Sequence, residues 1–269
     1  MKLVAVDMDG TLLNEKKEMP ERIFGIIDKL HQRNITFAIA SGRQHLSLQK
    51  LYDKIKDEIV FIAGNGSIII DKGEILFADN LNGDVVREIV SKIKEIPKVH
   101  IILCGLESAY FLTDGLFEVM PQYLMDSHFP VKKIIYDLDE LPFGEEIIQI
   151  AVYDEEANSK TNVYDKIKGF ENVAHITISE NTWVDIMNRG VNKGVAINKL
   201  QQILKATPKD TMVFGDALND LEMMQQAYYS YAMENAVAEI KESANFSAPS
   251  NEDEGVIQIL DEFLNNDEQ

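Results

Sequence analysis

Apolar positions along this chain follow two rhythms, and the places where each holds predict the elements. Residues 2–6 form a short apolar run rich in β-branched side chains, the pattern of a strand buried on both faces. Pro20 stands where a first helical position would fall, and Ile23, Ile26, Ile27 and Leu30 follow at helical spacing. Residues 35–40 read as a second buried strand, 46–55 as a helix and 59–63 as a third strand. Strand, helix, strand, helix, strand is the order of a right-handed doubly wound parallel sheet.

The rhythm then changes. Residues 67–70 and 75–78 flank Asp71-Lys72-Gly73-Glu74, which reads as a β-hairpin. Between 82 and 187 the order is looser. A helix carries Val85, Val86, Ile89, Ile93 and Ile96, and a second carries Val163 and Ile167. Strands fall near 99–104, 147–153, 173–178 and 183–187. The doubly wound rhythm returns after Gly190, with a helix over 193–204, a strand over 211–214 and a helix from about Leu218. Val256, Ile257, Leu260 and Phe263 close the chain as an amphipathic helix. The expected fold class is α/β: a doubly wound parallel-sheet core from residues 1–80 and 188–269, interrupted by an α+β insert over 81–187.

Composition narrows the function. The chain has 269 residues, 45% of them hydrophobic, enough for a sizeable core and two units. A net charge of −19 repels nucleic acid and anionic membranes, so neither is expected as a partner. There is no run of about 18 apolar residues that would span a membrane. The N-terminus turns acidic at Asp7, too early for a signal peptide. A lone cysteine, Cys104 in an apolar run, excludes an internal disulfide and reads as a buried core residue. A cytoplasmic protein is the expectation, with monomer and homodimer both open. An acidic protein acting on an anion also needs a local cationic patch or a metal.

The unusual polar residues fall at the carboxyl ends of the expected parallel strands, where such sheets bind ligands. Asp7 and Asp9 end the first strand, Ser41-Gly42-Arg43 the second, and Gly215-Asp216 the strand before it. Lys193 and Asn219-Asp220 lie near helix starts. Two carboxylates two residues apart on extended backbone point the same way and repel unless a cation or proton intervenes. Oxygen-only ligands favour a hard cation, which suits magnesium on Asp7, Asp216 and Asp220. A carboxylate can attack phosphorus, and phosphoryl transfer then needs mainly charge neutralisation and hydrogen bonds. Lys193 supplies charge; Ser41, Asn219 and the backbone N–H groups around Met8 and Gly42 supply hydrogen bonds. Taken singly, each motif has an ordinary structural explanation as a turn, a loop or a solvated lysine. Their order after the right strands is what favours chemistry.

These residues resemble the haloacid dehalogenase-like phosphohydrolases. Asp7-Met8-Asp9-Gly10-Thr11-Leu12 is similar to the first motif, Ser41-Gly42-Arg43 to the second, Lys193 to the third and Gly215-Asp216-Ala217-Leu218-Asn219-Asp220 to the fourth. Gly64-Asn65-Gly66, the run 190–194 and Asn235-Ala236 resemble the Cof-like subfamily. The resemblance implies that Asp7 is the nucleophile and a magnesium ligand. It implies that Asp9 is the general acid and then base, with its carbonyl on the metal. Ser41, Lys193 and Asn219 would hold the phosphate, Asp216 the metal, and Asp220 the metal through water or Lys193 itself. The insert would be a cap choosing a small phosphorylated metabolite such as a sugar phosphate. A phosphomutase and a non-catalytic phosphometabolite sensor are the alternatives. Glu234 stands where the subfamily usually has Gly, which bears on loop conformation or substrate fit. Arg43 is read as either a substrate-anion ligand or a structural ion pair. His45 is read as a helix-surface residue, and Trp183 mainly as packing.

Overall fold

The computed structural model describes residues 1–115 and 120–266. The first segment runs β1 (Leu3–Asp7), α1 (Arg22–Gln32), β2 (Thr36–Ala40), α2 (His45–Leu51), β3 (Val60–Ala63), β4 (Ile68–Asp71) and β5 (Glu74–Ala78). The insert runs α3 (Gly83–Ile93), β6 (Val99–Gly105), β7 (Ala109–Leu112), α4 (Gln122–His128), β8 (Lys132–Ile135), β9 (Ile147–Asp154), α5 (Asp165–Ile167), β10 (Ala174–Glu180) and β11 (Trp183–Asn188). The chain returns through α6 (Lys193–Leu204), β12 (Thr211–Gly215), α7 (Leu221–Met224), β13 (Tyr229–Met233), α8 (Ala238–Ser243), β14 (Phe246–Ala248) and α9 (Gly255–Asn266).

The larger sheet has the order β14-β13-β12-β1-β2-β3-β4-β5. All five residues of β1 are buried, because strands flank it on both sides and side chains cover both faces. From β1 the chain winds to one side through β2 and β3, and later to the other through β12, β13 and β14. Strand order therefore reverses between β1 and β12, and the crevice at their carboxyl ends is the natural ligand site. The hairpin β4–β5 continues the sheet antiparallel. Its two-residue turn places Lys72 and Gly73 at φ 49° and 81°, the left-handed pair that matches strand twist.

The second sheet, β10-β11-β9-β6-β7-β8, is antiparallel except where β8 joins β7. Alternation along β6 serves two layers. Ile101 and Leu103 pack with Val86, Ile89 and Val90 of α3, while Ile102 and Cys104 face Phe111, Met125 and Phe129. Helix α3 starts cleanly because the Asn82 side chain accepts from the N–H groups of Asp84 and Val85, a cap worth about 1 kcal/mol. Cys104 is buried as its apolar setting implies, and burial pushes its thiol up. The periodicity does not reveal β7, α4 or β8. β7 has only four residues, and β8 is an edge strand opening on Lys132 and Lys133, the charged composition that keeps edges from pairing further. Helix α2 ends at Leu51, short of the expected 55, yet Tyr52 and Ile55 stay buried in the turns that follow.

Candidate active site

Asp7 is the last residue of β1 and is 6% exposed. Beyond it the backbone turns, with the N–H groups of Leu12 and Leu13 donating to the Met8 carbonyl at 3.1 and 2.9 Å. Met8 buries its side chain completely, which leaves only its backbone to serve the site. Gly10 sits at φ +88°, and a Cβ there would lie 2.4 Å from Asp216 Oδ2. Glycine is therefore required by the close approach of the β12 loop as well as by backbone conformation. Thr11 Oγ1 donates to Asp216 Oδ1 at 2.7 Å and locks the two loops together.

Lys193 opens α6, whose start is fixed by Asn192 accepting from the Val195 N–H at 2.8 Å. Its side chain is fully buried and runs into the crevice, where Nζ donates to Asp7 Oδ1 at 2.5 Å and Asp220 Oδ1 at 2.6 Å. The other oxygen of Asp220 accepts from the backbone N–H groups of Asp216 and Ala217 at 3.0 and 3.1 Å. Asp220 thus holds both the lysine and the loop that presents Asp216.

Asp7, Asp216 and Asp220 each bring a carboxylate oxygen within 4.8 Å of the others. Three carboxylates against the single ammonium of Lys193 leave two formal negative charges in a buried space. Burial, and then the charge of Asp220, push the Asp7 carboxyl well above the usual range, against the pull of Lys193. Burial and Asp220 likewise push Asp216 up to about 6. An all-oxygen donor set with this charge deficit fits a hard divalent cation, which would reverse both shifts.

Asp9 lies outside this cluster and has other partners. Arg43 grips it with two bonds, Nε to Oδ2 at 3.0 Å and Nη2 to Oδ1 at 2.9 Å. Lys17 Nζ adds a third at 2.9 Å. Burial would raise its carboxyl, but these two cations outweigh it and hold the group below its ordinary value. Arg43 is therefore an ion-pair partner of Asp9 that also lines the cleft. Ser41 is 2% exposed, and its Oγ accepts from the Arg43 N–H at 3.2 Å.

Asn219 is held by a buried chain of amides that crosses from core to cap. Its Nδ2 donates to Asn65 Oδ1 at 3.0 Å, and Asn65 Nδ2 donates to Asp185 Oδ2 at 3.0 Å. Asp185 also accepts from Ser179 Oγ and, at 2.8 Å, from Gln149 Nε2, which bonds the Gly42 carbonyl at 3.1 Å as well. Burial raises the Asp185 carboxyl to about 6, against these hydrogen bonds. Asn65 has φ 53° between two left-handed glycines, and a Cβ on Gly66 would strike the Asn192 carbonyl at 2.4 Å. Asp185, Gln149 and Ser179 were not expected as site residues. The signal available was an acid inside the otherwise apolar strand Trp183-Val184-Asp185-Ile186-Met187.

His45 also differs from expectation. It is 3% exposed, and its Nε2 donates to the Leu106 carbonyl of the cap at 3.0 Å. Burial pushes the imidazole down to about 4, against that hydrogen bond and Glu145. The folded protein therefore resists a proton that the unfolded chain accepts below about pH 6.5. Relative to His45→Gln, the wild type should lose about 1.4 kcal/mol per pH unit from pH 6.5 downward, reaching about 3 kcal/mol near pH 4. Urea unfolding of both proteins at pH 7, 5.5 and 4 measures this, and a constant difference would refute it. Glu234 is exposed in the turn after β13 and has no left-handed backbone, so no glycine is needed there. The neighbouring Asn235 ties that turn to the Gly10 carbonyl at 2.7 Å.

One cleft joins Asp7, Asp9, Ser41, Gly42, Arg43 and Asn219 to the cap residues His128, Phe129, Trp183 and Asp185. Trp183 does more than pack, since it contributes to the cleft wall. Among the described residues, no helix is long and apolar enough to cross a membrane.

Known proteins are similar to this chain in sequence and fold. The family of haloacid dehalogenase-like hydrolases matches residues 4–260. The chain is 31% identical to the 5-amino-6-(5-phospho-D-ribitylamino)uracil phosphatase YbjI of Escherichia coli, covering 98% of this chain and 96% of that one. It is 32% identical to the HMP-PP phosphatase of Cronobacter sakazakii, covering 89% and 86%. The crystal structure of SMU.1108c from Streptococcus mutans superposes with a TM-score of 0.85 at 30% identity, covering 98% of both chains.

Proposed function

This chain belongs to the haloacid dehalogenase-like hydrolases, and from that membership we propose that it hydrolyses a small phosphate monoester by way of a phosphoryl group carried on Asp7. The observation that carries the reading is the buried cluster in which Asp7, Asp216 and Asp220 surround Lys193 at the switch point of the sheet. The names of the relatives support a small phosphorylated metabolite as the substrate class.

Asp7 attacks phosphorus, the bond to the leaving oxygen breaks, and Asp9 gives that oxygen a proton. Asp9 then takes a proton from the water that attacks the phosphorus, which frees phosphate and restores Asp7. Asp9 starts this cycle clamped as a carboxylate by Arg43 and Lys17. An incoming phosphate competes for the same cations, so substrate binding relaxes the clamp and lets Asp9 take up from solvent the proton that it then gives to the leaving oxygen. Ser41, Asn219 and Lys193 are assigned to the phosphoryl oxygens, with the backbone of Met8 and Gly42. Asp7, Asp216 and Asp220 would hold Mg2+, with the Asp9 carbonyl. When bound, the ion neutralises charge that develops on the transferring group. Residues 81–187 would be the specificity cap, with its amide chain through Asp185 setting Asn219 in place.

Phosphate release from a panel of sugar phosphates, nucleotides and cofactor phosphates tests the reading. Turnover should vanish with chelator and return on adding Mg2+. Rates that stay within about twofold after chelation would remove the metal from the proposal. No release from any ester would leave a binding protein in place of an enzyme.

A further inference from the structure

Part of the cleft wall is aromatic, with His128, Phe129 and Trp183 lining it. Trp183, on β11, lies 5.0 Å from the Tyr153 ring, 5.7 Å from His128 and 6.2 Å from Phe129. Phe129 is braced edge-on by Phe111 at 5.2 Å and 88°. Trp183 and His128 are only partly buried, and both line the same cleft as Asp7 and Arg43. The braced indole face, with the His128 imidazole tilted 37° beside it, offers a π surface that takes another ring by offset stacking. Burial and the positive charge of Arg43 hold the imidazole below its ordinary value, which keeps it uncharged and suited to an apolar ring face.

The same cleft holds an unpartnered amide. Gln44 follows the Ser41-Gly42-Arg43 turn, is 3% exposed and lines the cleft. Both its amide nitrogen and its amide oxygen are buried without a hydrogen-bond partner. Buried amides are rarely left so, and a ligand that pairs with one gains what burial otherwise forfeits. One donor beside one acceptor complements the amide-like edge of a heteroaromatic ring.

We propose that Trp183 and His128 form a stacking shelf for a planar heteroaromatic ring in the leaving portion of the substrate, with Gln44 reading the hydrogen-bonding edge of that ring. The proposal rests on the phosphatase reading for the place of the phosphate, and names the substrate class within it. A plain sugar phosphate leaves both the shelf and Gln44 unused. Arg43 and the catalytic groups anchor the phosphate end, so stacking sets which ester is held long enough to react.

Trp183 is the only tryptophan of the chain, so its fluorescence reports the shelf directly. The Asp7→Asn protein with Mg2+ is titrated with UMP, AMP and thiamine monophosphate, and in parallel with ribose 5-phosphate and glucose 6-phosphate. At least one ring-bearing ester should quench the emission saturably, and the ring-free esters should not. In the wild type, kcat/KM for that ester should exceed the ring-free values by about tenfold or more, and Trp183→Leu or Gln44→Leu should drive the ratio toward one. Equal quenching by both classes, or a ratio that Trp183→Leu leaves unchanged, overturns the shelf. Selective quenching with no turnover of any ester keeps the shelf and overturns hydrolysis.

Discussion

Asp7→Asn should abolish phosphate release while leaving the protein folded and no less stable. The carboxylate oxygen is the proposed attacking atom, and the amide is nearly isosteric but a very poor nucleophile. Removing a covalent nucleophile from a hydrolase costs on the order of 10^4-fold or more in kcat, and a loss of that size is expected here. Stability should move the other way. Burial and the charge of Asp220 push the Asp7 carboxyl well above the usual range, so the fold disfavours a negative charge there. The neutral amide removes one of three crowded negative charges and still leaves Lys193 its bond to Asp220 at 2.6 Å. A gain in stability at pH 7 is the expected direction. Phosphate release and urea unfolding on the same preparation decide the matter. Turnover within about tenfold of wild type would mean that Asp7 is not the nucleophile.

Lys193→Met should lose both activity and stability. Methionine keeps much of the apolar stem, but it removes the one ammonium buried among Asp7, Asp216 and Asp220. Breaking a buried pair from one side costs about 3–5 kcal/mol, because the partner charges stay behind uncompensated. Loss of a donor to the phosphoryl group should lower kcat/KM by at least about 10^2-fold. The pH dependence distinguishes this cause from a packing defect. Without the lysine, the Asp7 and Asp216 carboxyls rise further above their unfolded values, so the folded state holds protons that the unfolded state releases. Stability of the variant relative to wild type must then fall as pH rises from about 4 to 7, and the deficit narrows as the medium is acidified. A deficit that stays constant across that range would point to lost packing instead.

Much of the candidate core site was legible because the residues gathered there are attached to the most legible elements. β1, β2 and β12 are central parallel strands, buried on both faces, so each appears as an unbroken apolar run. Asp7, Ser41 and Asp216 sit at the ends of those runs, which is where a doubly wound sheet gathers its ligands. The cap was legible only in part. Four of its strands and two of its helices show in the periodicity, whereas β7, α4 and β8 are too short or too polar to stand out.

The sequence by itself determined the parallel core, the interruption by an insert, and the order in which acids, hydroxyl and lysine arrive at the sheet edge. Local patterning suffices for these, because backbone pairing and burial act within each short segment. Only the tertiary structure decided who meets whom. Lys193 reaches Asp7 across 186 positions and Asp220 across 27. Arg43 and Lys17 close on Asp9, and Asp185 reaches back from the cap to Asn65. His45 is buried by the cap loop at Leu106, which no helical periodicity could announce. Trp183 gains its neighbours the same way, from α4 and β9. Each of these contacts depends on the approach of segments far apart in the chain, and the pKa shifts follow from that approach: burial and neighbouring charge are properties of the assembled cleft.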